Sequence, residues 1–158
     1  NDSIVDGPGL RFTIFTQGCP HKCDGCHNPH THAFEGGHDE SIINLYDKIK
    51  SNKLLDGVTF SGGEPFCQAN NLYELGLKIH ELNMDIITYT GYTFEYLMQN
   101  ATIQNGYAKL LSVTDYLVDG RFEKDKMSYE LKFKGSSNQR ILDVKKSVTK
   151  NIPFETVL

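Results

Sequence analysis

Apolar and polar side chains alternate from Leu10 to Thr16 (LRFTIFT), and β-forming residues dominate the stretch, which predicts a strand. The period then lengthens. Over Glu40–Lys50 (ESIINLYDKIK), Ile42, Tyr46 and Ile49 fall at helical spacing, with Asp39 or Ser41 in position to cap. Gly57–Ser61 (GVTFS) is a short strand broken by Gly62-Gly63-Glu64-Pro65. A helix is predicted over Gln68–Leu82, where Leu72, Leu75, Ile79 and Leu82 form the apolar stripe. Asp85–Thr90 (DIITYT) is a third strand, followed by Gly91-Tyr92. Thr93–Asn100 and Gly106–Val113 are short helical pieces, and Tyr116–Asp119 (YLVD) is a fourth strand, followed by Gly120-Arg121. Past the turn Gly135-Ser136-Ser137-Asn138, Gln139–Val144 has the makings of one more strand.

Strands alternating with helices imply a parallel sheet joined by right-handed crossovers. Four such strands are too few to close an eight-stranded barrel. The expected fold is therefore α/β, a partial (β/α) barrel or curved open parallel sheet with one side left open, in a single domain over residues 1–158. Sites in such folds form at the carboxyl ends of the strands. The loops after the four strands would thus gather on one rim: the segment after Thr16, Gly62-Gly63-Glu64-Pro65, Thr90-Gly91-Tyr92 and Asp119-Gly120-Arg121.

Composition changes this picture little. The 158 residues suffice for one core, and the net charge of −4 gives no reason to expect a nucleic-acid partner. No apolar run approaches a membrane span, and no secretory pattern is read. The chain opens at Asn1 rather than Met, so a short native leader is expected ahead of it. After Gly120, Lys and Arg outnumber Asp and Glu, which reads as solvated surface.

The cysteines carry the chemistry. Three of the four lie in Gln17–His32 (QGCPHKCDGCHNPHTH), as Cys19, Cys23 and Cys26 in the spacing C-x3-C-x2-C. Clustered thiols suggest a metal site in a reducing cytoplasm rather than a disulfide framework. Zinc would need a fourth ligand from His27, His30 or His32, and its usual ligand pairs lie further apart in sequence. A [4Fe–4S] cluster held by three thiolates would keep one iron open for a substrate. Cys67 is expected to be a small buried residue rather than a ligand. His30 and His32 read as exposed loop residues, and His27 as a neighbour that tunes the site. Gly62 and Gly63 let a ligand approach the backbone, and Glu64 offers a carboxylate to a cation or amino group, or else caps a tight turn. Asp119 is a candidate for ribose hydroxyls or an amino group, or a turn acid. Thr90 and Gly91 are weaker candidates, and Arg121 faces either a ligand carboxylate or a surface acid.

The C-x3-C-x2-C loop after the first strand, with Gly-Gly-Glu-Pro after the second, resembles the radical S-adenosylmethionine superfamily. Val5-Asp6-Gly7-Pro8-Gly9-Leu10-Arg11-Phe12 and Cys26-His27-Asn28-Pro29 resemble its glycyl-radical-enzyme activases. Val118–Glu123 (VDGRFE) and Phe133–Arg140 (FKGSSNQR) narrow the resemblance to the branch that activates anaerobic (class III) ribonucleoside-triphosphate reductase, with pyruvate formate-lyase activases as the alternative. The resemblance implies that Cys19, Cys23 and Cys26 bind a [4Fe–4S] cluster. It implies that Gly62, Gly63, Glu64, Thr90 and Asp119 contact S-adenosylmethionine, and that a flavodoxin-type donor supplies the electron. It further implies that a 5′-deoxyadenosyl radical takes a hydrogen atom from a glycine of the reductase. Gly25 departs from the pattern, since an aromatic residue often precedes the third cysteine.

Overall fold

A computed structural model describes residues 2–3, 7–16, 41–127 and 133–158. The alternating stretch becomes β2 (Arg11–Thr16), preceded by a two-residue strand, β1 (Asp2–Ser3). Then come α1 (Ile42–Ser51), β3 (Gly57–Gly62), a 3-10 turn (Pro65–Gln68), α2 (Ala69–His80) and β4 (Asp85–Tyr89). The chain continues through α3 (Phe94–Asn100), α4 (Tyr107–Val113), β5 (Tyr116–Asp119), a second 3-10 turn (Lys124–Lys126), β6 (Arg140–Asp143) and α5 (Val144–Lys150).

One open six-stranded sheet results, its strands in chain order. β2 to β5 are parallel, as the helical crossovers require, whereas β1 and β6 run antiparallel along the two edges. Parallel neighbours in chain order need crossovers of one hand, which puts the connecting helices on one side of the sheet, as in (β/α) barrels. On that side Val58, Phe60, Ile86, Leu117 and Leu142 meet Ile49, Leu72, Leu75, Ile79, Leu97, Leu110 and Leu111 in one buried cluster.

Side chains of the opposite parity face the other way, and there the character is different. Arg11, Thr13, Thr59 and Ser61 are all buried, so the helix-free face carries a polar column. Arg11 lies at its foot. Its Nε donates to Thr59 Oγ1 at 2.8 Å, its Nη2 to the Val58 carbonyl at 2.7 Å, and its Nη1 pairs with Asp85 Oδ1 at 2.7 Å. A buried guanidinium is tolerable only with such multiple partners. Gly57 makes the room, because a Cβ there would run into Arg11 Nη1.

The cap read in the sequence at Ser41 forms, and Thr93 caps α3 in the same way. Ser41 Oγ accepts from Asn44 N at 3.1 Å, and Thr93 Oγ1 accepts from Tyr96 N at 3.1 Å. Ser41→Ala is expected to cost about 1 kcal/mol, visible as a thermal midpoint lower by about 2–4 °C. An unchanged midpoint would mean that solvent replaces the cap.

Candidate functional site

The carboxyl ends of β2 to β5 bring the rim loops together. Cys19, Cys23 and Cys26, with Gly25, His27, His30 and His32, lie in residues 17–40, outside the described residues. The point from which that run departs is described. Thr16, the last residue of β2, accepts the Gly63 N–H on its carbonyl at 2.7 Å and donates its hydroxyl to the Ser61 carbonyl at 3.1 Å. Gly62 has φ +90°, and a Cβ there would sit 2.6 Å from Thr16 N. Only glycine fits so close an approach at that backbone angle. The cysteine run therefore starts one residue beyond the group that clasps the Gly62-Gly63 turn. Among the described residues no group of three His, Cys, Asp or Glu is placed to hold a metal ion. The three clustered cysteines are the donor set whose chemistry suits an iron–sulfur cluster.

Glu64 is fully buried. Three donor groups converge on its carboxylate: Phe66 N at 3.1 Å, Gly91 N at 2.8 Å, and Thr90 Oγ1, which reaches both oxygens at 2.8 and 2.9 Å. Thr90 Oγ1 in turn accepts from Tyr92 N at 3.1 Å. The side chain thus braces the end of β3 against the end of β4. Among the described residues no hydrogen bond uses the Gly63 carbonyl, which leaves a backbone acceptor on the turn.

Asp119 ends β5, also buried, and its carboxylate is engaged. Oδ2 accepts from Phe94 N at 2.8 Å and from Arg140 Nη2 at 2.5 Å, while Oδ1 accepts from Arg140 Nε at 3.0 Å. The same guanidinium donates to both oxygens of Glu95. Arg140 holds the Glu95 carboxyl below its usual range, and the two carboxylates hold Arg140 protonated well above its own. Arg140 entered the sequence reading only inside the expected strand Gln139–Val144 and as the last residue of the Phe133–Arg140 run. Nothing in the spacing from Asp119 to Arg140 announces the pair, which the antiparallel register of β5 and β6 creates by setting these two residues opposite each other.

Aromatic rings flank this rim. Tyr92 and Tyr96 stack with centroids 4.6 Å apart, and Phe66 meets Tyr107 edge-on at 5.8 Å. Burial, then a hydrogen bond to Tyr107, pushes the Tyr92 hydroxyl far above its ordinary pKa, so it stays protonated. Cys67, expected to be a small buried residue, is exposed. The 3-10 turn after Pro65 buries Pro65 and Phe66 and turns the next side chain out.

Residues 5–142 match the family model described as a 4Fe-4S single cluster domain. The anaerobic ribonucleoside-triphosphate reductase-activating protein of Vibrio cholerae is 36% identical over 150 residues, covering 87% of this chain and 90% of that protein. The protein of the same name from Enterobacteria phage T4 is 32% identical over 145 residues, covering 87% and 86%. A pyruvate formate-lyase-activating enzyme of Listeria monocytogenes is 45% identical over 75 residues, which span 44% of this chain and 30% of that enzyme.

Proposed function

The chain belongs to the 4Fe-4S single cluster domain family and, within it, to the anaerobic ribonucleoside-triphosphate reductase-activating proteins, and on that premise we propose that it installs the glycyl radical on such a reductase by reductive cleavage of S-adenosylmethionine. One observation supports the reading: Thr16, the residue before the run that carries the three cysteines, accepts the Gly63 N–H on its carbonyl, so that run begins beside the glycine turn.

Each group then has a task. Cys19, Cys23 and Cys26 would hold the cluster, which would supply the electron-transfer chemistry. The Gly62-Gly63 backbone receives the methionine amino group, with the Gly63 carbonyl as its acceptor. Glu64 and Thr90 keep that turn in place rather than reaching the cofactor themselves. Arg121 is exposed and has no ion-pair partner among the described residues, so its guanidinium suits the methionine carboxylate. Asp119, gripped by Arg140, fixes the root of the loop that carries Arg121. When bound, the cluster and S-adenosylmethionine would supply one-electron cleavage of the sulfonium carbon–sulfur bond, with methionine leaving, and thereby the means to take a hydrogen atom from a glycine of the partner. An open sheet suits a substrate that is a loop of another protein.

The remaining components follow the same reading: a flavodoxin-type electron donor, a cytoplasmic location, and neither nucleic acid nor membrane as partner. No helix of the described residues is long and apolar enough to cross a membrane.

The test is anaerobic. With iron, sulfide, S-adenosylmethionine, a reductant and the reductase, electron spin resonance is expected to record a glycyl radical on the reductase. An intact cluster with no radical would overturn the partner. The shorter match to a pyruvate formate-lyase-activating enzyme supports a second reading, with that lyase as substrate. Exchanging the two partners in the same assay separates them.

A further inference from the structure

Apart from Arg140, the Gly135–Arg140 run has no place in the chemistry above, yet among the described residues it is densely hydrogen-bonded. Gln139 uses both ends of its amide. Oε1 accepts from Gly135 N at 2.7 Å and from Ser136 N at 3.2 Å, while Nε2 donates to the Gly120 carbonyl at 2.9 Å. Its neighbours extend the grip, Asn138 Nδ2 donating to the Arg121 carbonyl at 2.8 Å and buried Ser136 Oγ accepting from Glu123 N at 3.1 Å. Asn138 contributes one bond, and its Oδ1 is buried with no partner among the described residues. Gln139 contributes three, two that close its own run at Gly135 and Ser136 and one, from Nε2, that ties this run to the Gly120 carbonyl. The segment held is Gly120–Glu123, which turns out of β5 through Gly120 at φ +97°. The three bonds that the run makes to it all go to backbone, and none goes to the Arg121 side chain.

We propose that Gln139 is a positioning residue: it locks the Gly120–Glu123 backbone so that the Arg121 guanidinium stays presented at the rim to a ligand carboxylate. This rests on the reading of the rim as the S-adenosylmethionine site. A long cationic side chain on a free loop loses conformational entropy when it binds an anion, and a locked loop has lost part of it beforehand.

The experiment has two arms. In cluster-free protein, hydrogen exchange of the Gly120–Glu123 amides should quicken about tenfold in Gln139→Ala, with the amides of β3 and β4 unchanged. In cluster-loaded protein, the Kd for S-adenosylmethionine should rise about tenfold in Gln139→Ala and at least as much in Arg121→Ala. The double variant should bind no worse than Arg121→Ala alone, because Gln139 acts through Arg121. A purely structural role predicts additive losses instead, and that result overturns the proposal, as does unchanged exchange in Gln139→Ala. If Gln139→Ala also lowers the unfolding midpoint, Gln139→Glu decides. It keeps the acceptor for Gly135 and Ser136 and removes only the donor to Gly120, so the loop must still loosen. Absence of S-adenosylmethionine binding by the unaltered protein would instead remove the cofactor reading, while the exchange arm still tests the brace.

Discussion

Glu64→Ala is expected to lower the free energy of unfolding by about 3–5 kcal/mol, among the largest losses any single substitution on this rim should cause. The carboxylate is fully buried, and Phe66 N, Gly91 N and Thr90 Oγ1 all point at it. Alanine leaves those donors without an acceptor in a place water reaches poorly, at about 1–3 kcal/mol for each one orphaned. Glu64→Gln should cost less, because one oxygen remains. It cannot be neutral, since its NH2 must then face either Phe66 N or the pair Thr90 and Gly91. Urea unfolding of the metal-free protein measures both. Thr90→Val should lose most of its own cost in the Glu64→Ala background, because the two share one contact. A loss below about 1 kcal/mol for Glu64→Ala would mean that water fills the gap and that the brace matters little.

How much of this was legible in the sequence depends on how far each signal reaches. The four parallel strands were readable because each couples a β-rich run to a glycine turn, and their boundaries moved by one residue at most. Helices α1 and α2 were readable from their apolar stripes, α1 also from its cap, and α3 and α4 as short helical pieces. Helix α5 was not, because VKKSVTK has almost no stripe, and its lysines read as plain solvated surface. The antiparallel direction of β6 was also hidden. Direction follows from how the chain returns after Gly120, and no local pattern encodes that. At the site, Gly62, Gly63, Glu64, Thr90 and Asp119 were all singled out and all lie on the carboxyl rim. What the sequence concealed is where the carboxylates point. Glu64 is bound by groups 26 and 27 positions away, and Asp119 by Arg140, 21 positions on. Such pairings arise only once strands are laid side by side. The same limit applies to Cys67, whose exposure is decided by the 3-10 turn and not by its neighbours in sequence.

The largest functional effect is expected from the clustered thiols. Cys19→Ala, Cys23→Ala and Cys26→Ala should each reduce bound iron and acid-labile sulfide to background and abolish glycyl-radical formation, since the proposed ligand set has no thiolate to spare. The same variants should unfold at the same denaturant concentration as the parent metal-free protein. The strand from which the run departs is paired with β3 along its whole length, from Arg11 opposite Gly57 to Thr16 opposite Gly62, and Thr16 is clasped by Gly63. The fold thus has its own ladder at that point, so the sheet is expected to hold without the metal, unlike small zinc domains that fold only on binding. Lost iron with unchanged stability would separate ligand loss from misfolding. Cys67→Ala is the internal control. Cys67 is exposed at the opposite end of the Glu-Pro-Phe turn, and its removal should leave iron, sulfide and the visible absorption intact. Iron lost from Cys67→Ala would make the cluster four-thiolate and close the position assigned to S-adenosylmethionine, while full iron in any of the other three would reassign the ligands altogether.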